Sequence, residues 1–122
     1  MSTLSELVLM SELRLNETSY PLDAEGYLED LNQWNSEIAE AFAESIDLPL
    51  TESHWELIHL MRQFYQEFDL SPAMRPFIKY ITLHLGADKG KSIYLMQLFP
   101  GEGSPVKRIA LIAGLPKPDN CL

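Results

Sequence analysis

The chain has 122 residues, 46% of them hydrophobic, enough for one compact domain with its own core. No run approaches the roughly 18 apolar residues of a membrane span, and a single cysteine excludes an internal disulfide framework. The net charge of −9 disfavours nucleic acid, which rewards a cationic surface.

The charge is uneven. Residues 1–69 balance to −13 and residues 70–122 to +4. That is either an ordinary solvated surface or a basic rear half that favours an anionic sulfur species nearby. The start of the chain lacks the basic region of a secretory signal. A cytoplasmic location is therefore expected, where a thiol stays reduced.

Residues 1–11 read as an N-terminal extension, with Met10 a second candidate start. Leu4, Leu7 and Val8 share one helical face, but the segment is too short to hold a helix alone. From 12 to 22, Leu13 and Leu15, then Tyr20 and Leu22, alternate with other residues around Asn16-Glu17. This predicts a small hairpin, which Pro21 confines to an edge.

A first helix is predicted over Ser36–Ile46 with Asn35 as its cap, on the repeat Ile38, Phe42, Ile46. Thr51 caps a second, Glu52–Phe68, whose Leu57, Leu60, Met61, Phe64 and Phe68 make one apolar stripe central to the core. Ser71-Pro72 is placed to start a third, with serine capping and proline at the first helical position. Its stripe is Met74, Phe77, Ile78, Ile81 and Leu85, and Gly86 stops it. Asp88 is placed to cap a fourth helix reaching Leu98, and Val106–Ile112 forms a short last one.

The segment 113–122 carries Gly114, Pro116 and Pro118, which forbid a helix and bias the backbone toward an extended form. It is expected to be a mobile arm on the order of 25 Å long, with Cys121 near its tip. The residues alone leave two readings open, a frayed terminus with an incidental cysteine or a nucleophile that reaches into a partner.

Cys121 is the one strong nucleophile candidate, because thiolate is the reactive form of a cysteine. Lys117, four residues back, is a candidate to support it, as are Arg75 and Lys79 at i and i+4 on the third helix. Those two are either a solvated helix face or a docking step for the arm or an anionic group. Asp119 and the C-terminal carboxylate oppose the thiolate. His54, His59 and His84 lack metal-ligand spacing, so no metal site is expected. No glycine-rich phosphate loop or nucleophile elbow appears, and no cofactor is expected. The second and third helices with their short turn also fit a helix-turn-helix outline, but two cations make a thin footprint and direct nucleic-acid binding is not expected.

With these residues laid out, the chain from Leu13 to Leu122 resembles the TusE/DsrC family of small sulfur carriers. The resemblance rests on Glu25-Gly-Tyr-Leu28, Trp34, His54-Trp-Glu56, Phe64-Tyr65, Glu67-Phe68, Ser71-Pro-Ala73, Arg75, Lys79, Lys89-Gly90, Tyr94-Leu95 and Leu98-Phe-Pro100. Its most specific part is Ala113-Gly-Leu-Pro-Lys-Pro118 followed by the penultimate Cys121. It implies a helical fold with an N-terminal hairpin and a flexible arm, and a persulfide carried on Cys121.

The DsrC branch has a second cysteine eleven residues before the terminal one, where this chain has Ala110. That departure points to the TusE branch. There the resemblance implies sulfur received from a TusBCD complex and passed to the tRNA-thiolating enzyme MnmA, for 2-thiouridine at the wobble position. Two other roles remain open at this point. One is a single-cysteine regulatory or interaction protein, with or without DNA contact. The other is a carrier in dissimilatory sulfur metabolism.

Overall fold

The computed structural model describes residues 12–119. The expected N-terminal extension and the tip of the arm, Cys121 included, lie outside the described residues. The described chain is mainly α-helical with one small hairpin, as the sequence predicts.

Strands β1 (Glu12–Leu15) and β2 (Thr18–Pro21) pair antiparallel, with Leu13 opposite Tyr20 and Leu15 opposite Thr18. Asn16 and Glu17 both hold positive φ, 51° and 66°. That geometry matches the right-handed twist of a two-residue hairpin loop. Leu13 points into the core. Asp23 then accepts the backbone N–H groups of Glu25 and Tyr27, closing a turn that exposes Glu25. Asp30 caps a 3-10 turn, Leu31–Gln33, which delivers Trp34 to the foot of the first helix.

Helix α1 spans Ser36–Ser45 and is capped by the Asn35 side chain, which accepts the Ile38 N–H at 2.9 Å. Helix α2 spans Glu52–Phe68. At its start His54 stands where a capping box usually has Glu or Gln, and its Nδ1 accepts the Thr51 N–H. With Nδ1 accepting, Nε2 donates to the Leu98 carbonyl at 2.6 Å and ties α2 to the end of a later helix. Buried His54 is thus a structural histidine.

Helix α3 spans Met74–Leu85, starting two residues later than the Ser71-Pro72 signal predicts. The physical reason is a distant competitor. The Ser71 hydroxyl donates to the carbonyl of Pro116, 45 residues away, instead of capping a helix. Helix α4 spans Ser92–Leu98, so Asp88 is not its cap. Residues 86–91 turn instead, with Gly86 at φ 101° and Gly90 against Thr82, where a Cβ would overlap the hydroxyl.

Helix α5 spans Pro105–Ile112 with proline in its first turn. It is the hub, touching each of the other four helices. Val106, Ile109, Ala110 and Ile112 are fully buried. The predicted stripe of α2 is buried at Leu57, Leu60, Met61 and Phe64, with Ile58 beside it, but Phe68, at the helix's last turn, is 49% exposed, and the centre of the bundle is the short last helix.

Candidate functional site

The C-terminal segment leaves the core where α5 ends, and its root is held residue by residue. Gly114 takes a left-handed φ of 69°, and the N–H groups of Gly114 and Leu115 return to the carbonyls of Leu111 and Ala110. This is the usual way a glycine closes a helix and satisfies its last carbonyls. The Trp34 indole N–H donates to the Ile112 carbonyl at 2.8 Å. Arg62 donates to the Ala113 carbonyl at 2.6 Å. Its guanidinium also lies 4.1 Å above the centre of the Trp34 ring, a cation–π contact. Trp34 in turn fills the space beside Gly114, where a Cβ would lie 2.4 Å from the ring.

Further along, Ser71 holds the Pro116 carbonyl at 2.6 Å. The Lys117 ammonium meets Glu25 at 2.6 Å. Leu115 and Pro118 are buried and Asp119 is exposed. The root of the expected arm is therefore seated on the body through Pro118. Burial pushes the pKa of Arg62 down, yet a guanidinium stays charged at neutral pH and donates fully. A charged donor of this kind contributes about 1.5–3 kcal/mol.

The predicted site residues fall in different places. Cys121 is two residues past Asp119, outside the described residues. Lys117 lines a cleft of about 390 Å³ together with Tyr65, Asp69, Ser71, Pro76 and Asp119. Arg75 and Lys79 are exposed on α3, one turn apart. Lys79 lines a second groove, of about 320 Å³, which shares Pro76 with the first. Of the three cations, Lys117 alone lines the arm's cleft, where it is engaged with Glu25, while Arg75 and Lys79 lie along α3.

Arg62 is the site residue that the sequence reading missed. It lies within the α2 pattern as an ordinary helix-surface cation. The one available signal is its isolation, since Arg14 and Arg62 are the only basic residues before residue 70. Among the described residues no group of three His, Cys, Asp or Glu side chains is placed to hold a metal ion.

The described residues define a small helical domain with an N-terminal hairpin, whose seated C-terminal segment leads to the chain's sole cysteine. The chain belongs to the DsrC-like family, whose model, described as "DsrC like protein", matches residues 14–122. It is 47% identical over 110 residues to a sulfurtransferase TusE homolog of Haemophilus influenzae, covering 90% of this chain and 99% of that one. It is 46% identical over 100 residues to sulfurtransferase TusE of Pectobacterium atrosepticum, covering 82% and 90%. Among solved structures it superposes on DsrC of Allochromatium vinosum with a TM-score of 0.81 at 38% identity, covering 92% and 98% of the two chains. It also matches the oxidised DsrC, the gamma-subunit of the dissimilatory sulfite reductase, of Archaeoglobus fulgidus, with a TM-score of 0.72 at 30% identity, covering 91% and 99%.

Proposed function

We propose that this chain is a sulfurtransferase of the carrier type, holding sulfane sulfur as a persulfide on Cys121. The observation that carries the reading is the high identity to relatives named sulfurtransferase TusE, across nearly their whole length, in a chain whose sole cysteine follows the seated root. The step is thiol exchange. The Cys121 thiolate attacks the outer sulfur of a donor persulfide, and the donor thiolate leaves. The acceptor thiolate then attacks the outer sulfur on Cys121, and the Cys121 thiolate leaves. Each step forms one S–S bond and breaks one, so no external oxidant or reductant is needed.

In this reading the donor is a TusBCD-like complex and the acceptor an MnmA-like tRNA 2-thiouridylase, serving wobble uridine in the cytoplasm. Arg75, Lys79 and Lys117 supply positive charge toward the anionic persulfide. Asp119 and the terminal carboxylate, close to Cys121 in sequence, work against its thiolate. Ala110 stands where a DsrC chain has its second cysteine, and Ala110 is fully buried in α5. An arm disulfide within one chain therefore has no partner thiol, which disfavours the two-cysteine chemistry of the dissimilatory branch and leaves only a disulfide between chains.

The test is intact mass after incubation with cysteine, a cysteine desulfurase and the upstream relay proteins. A reductant-labile gain of about 32 Da, one sulfur atom on a thiol, is expected. The gain should vanish in Cys121→Ser while the melting temperature stays unchanged. Transfer by Cys121→Ser at the wild-type level would end the reading and leave the regulatory role.

A further inference from the structure

We infer that the exposed apolar groove between the end of α2 and the face of α3 is the docking surface for the donor protein that passes sulfur to Cys121. We infer also that this partner presents an apolar side chain flanked by carboxylates. The inference rests on the persulfide-carrier reading and adds to it where the partner sits.

The argument begins with reach. The described chain ends at Asp119, on the rim of the cleft that also includes Leu70 and Pro76. Cys121 follows two residues further along the chain, and two residues span at most about 7 Å. Trp34, Arg62 and Ser71 hold that root at three carbonyls of the core's exit path, Ile112, Ala113 and Pro116. A folded partner cannot bring its own thiol to such a short tether without resting on the body of the protein.

The surface beside that rim is apolar beyond what folding requires. The second groove shares Pro76 with the arm's cleft and is lined by Phe64, Phe68, Tyr80 and Leu83. Phe68 is 49% exposed, Leu70 55% and Leu83 78%. Leu83 is off the buried stripe of α3, which runs through Phe77 and Ile81. The patch is also pre-formed. The Phe64 and Phe68 rings are 4.5 Å apart, and Tyr80 meets Phe64 edge-on at 5.0 Å. Contiguous exposed apolar surface of this kind marks a protein contact.

Charge selects the partner's chemistry. Helix α3 carries no acidic residue and exposes Arg75 and Lys79, in a chain of net charge −9. On the α2 side Glu67 accepts the Tyr80 hydroxyl at 3.3 Å, and Asp69 and Asp119 line the arm's cleft. The rim over α3 therefore suits carboxylates, and the centre suits an apolar anchor. A nucleic acid would meet only two cations around an aromatic and leucine surface.

The test uses Leu83, whose exposure makes its replacement harmless to the fold. Wild type, Leu83→Asp and Leu83→Lys are each loaded in two ways and read by intact mass. Inorganic polysulfide needs no docking, and all three chains should take up sulfur from it at the same rate. The persulfidated relay proteins, charged by a cysteine desulfurase, need docking. From them Leu83→Asp should load about tenfold more slowly at limiting donor, the effect expected of a central contact. It should approach the wild-type rate at saturation, and Leu83→Lys should lose less. Wild-type rates for both variants would overturn the inference while leaving the carrier reading intact. A greater loss in Leu83→Lys would overturn the acidic rim. If wild type itself takes sulfur from polysulfide but none from the relay proteins, the carrier reading fails and this inference with it.

Discussion

Gly114 decides whether the C-terminal segment can leave the core where it does. Its φ of 69° is costly for any residue with a Cβ, and that Cβ would strike Trp34. Gly114→Ala is expected to destabilise by about 1–3 kcal/mol, from the left-handed backbone together with the clash. Thermal melts of the single and of Gly114→Ala with Trp34→Ala separate the two parts, because only the clash is relieved in the pair. Arg62→Ala leaves the buried Ala113 carbonyl without its donor, which costs about 1–3 kcal/mol. Arg62→Lys restores a charge but not the flat face above the indole, so it should recover only part of the loss in the same melts. Neither change touches the thiol, and alkylation of Cys121 in the unfolded chain should be unaltered.

At the scale of elements, the hub is an eight-residue helix. Ile109→Ala in α5 removes a fully buried side chain that faces the meeting of the helices and is expected to cost about 2–5 kcal/mol in a denaturant titration. The importance of α5 was not legible in the sequence, because two turns show too little of a 3.6-residue period to rank one helix above another. The bounds of helix α2 were legible to the residue, since its periodic pattern runs through 17 residues and Thr51 marks its start, although Phe68 at its end is exposed. The hairpin was legible for a local reason too, in the Asn16-Glu17 turn. The starts of α3 and α4 were not. Ser71 looks like a cap by every local rule, yet its hydroxyl serves Pro116. The same holds for the site. Cys121, Lys117, Arg75 and Lys79 are candidates nominated by residue type and spacing, whereas the contact of Arg62 with the segment's root exists only when Ala113 is folded onto it.

For the whole molecule, charge sets the response to solution conditions. The ion pairs Arg14–Glu12, Lys89–Glu56 and Lys117–Glu25 are all substantially exposed and contribute little each. The larger effect is self-repulsion of a chain at −9. Raising sodium chloride from about 10 to about 150 mM, which shortens the screening length from about 30 to about 8 Å, should raise the melting temperature. Hydrogen bonding to Glu56 raises the pKa of the Lys89 ammonium above its ordinary 10.5. A raised amine stabilises the fold fully below pH 10.5, and that contribution is lost as pH climbs through the folded value. The alkaline fall in melting temperature should therefore be shallower in Lys89→Met. The indole that braces the arm's root has one more consequence. Trp34 and Trp55 are the chain's two tryptophans. In Trp55→Phe the remaining emission comes from a ring stacked under Arg62 and bonded to the Ile112 carbonyl. Any event that lifts the root from its seat would change the colour and intensity of that light. The carrier thus holds an intrinsic optical gauge of its own arm, readable during sulfur exchange without a label.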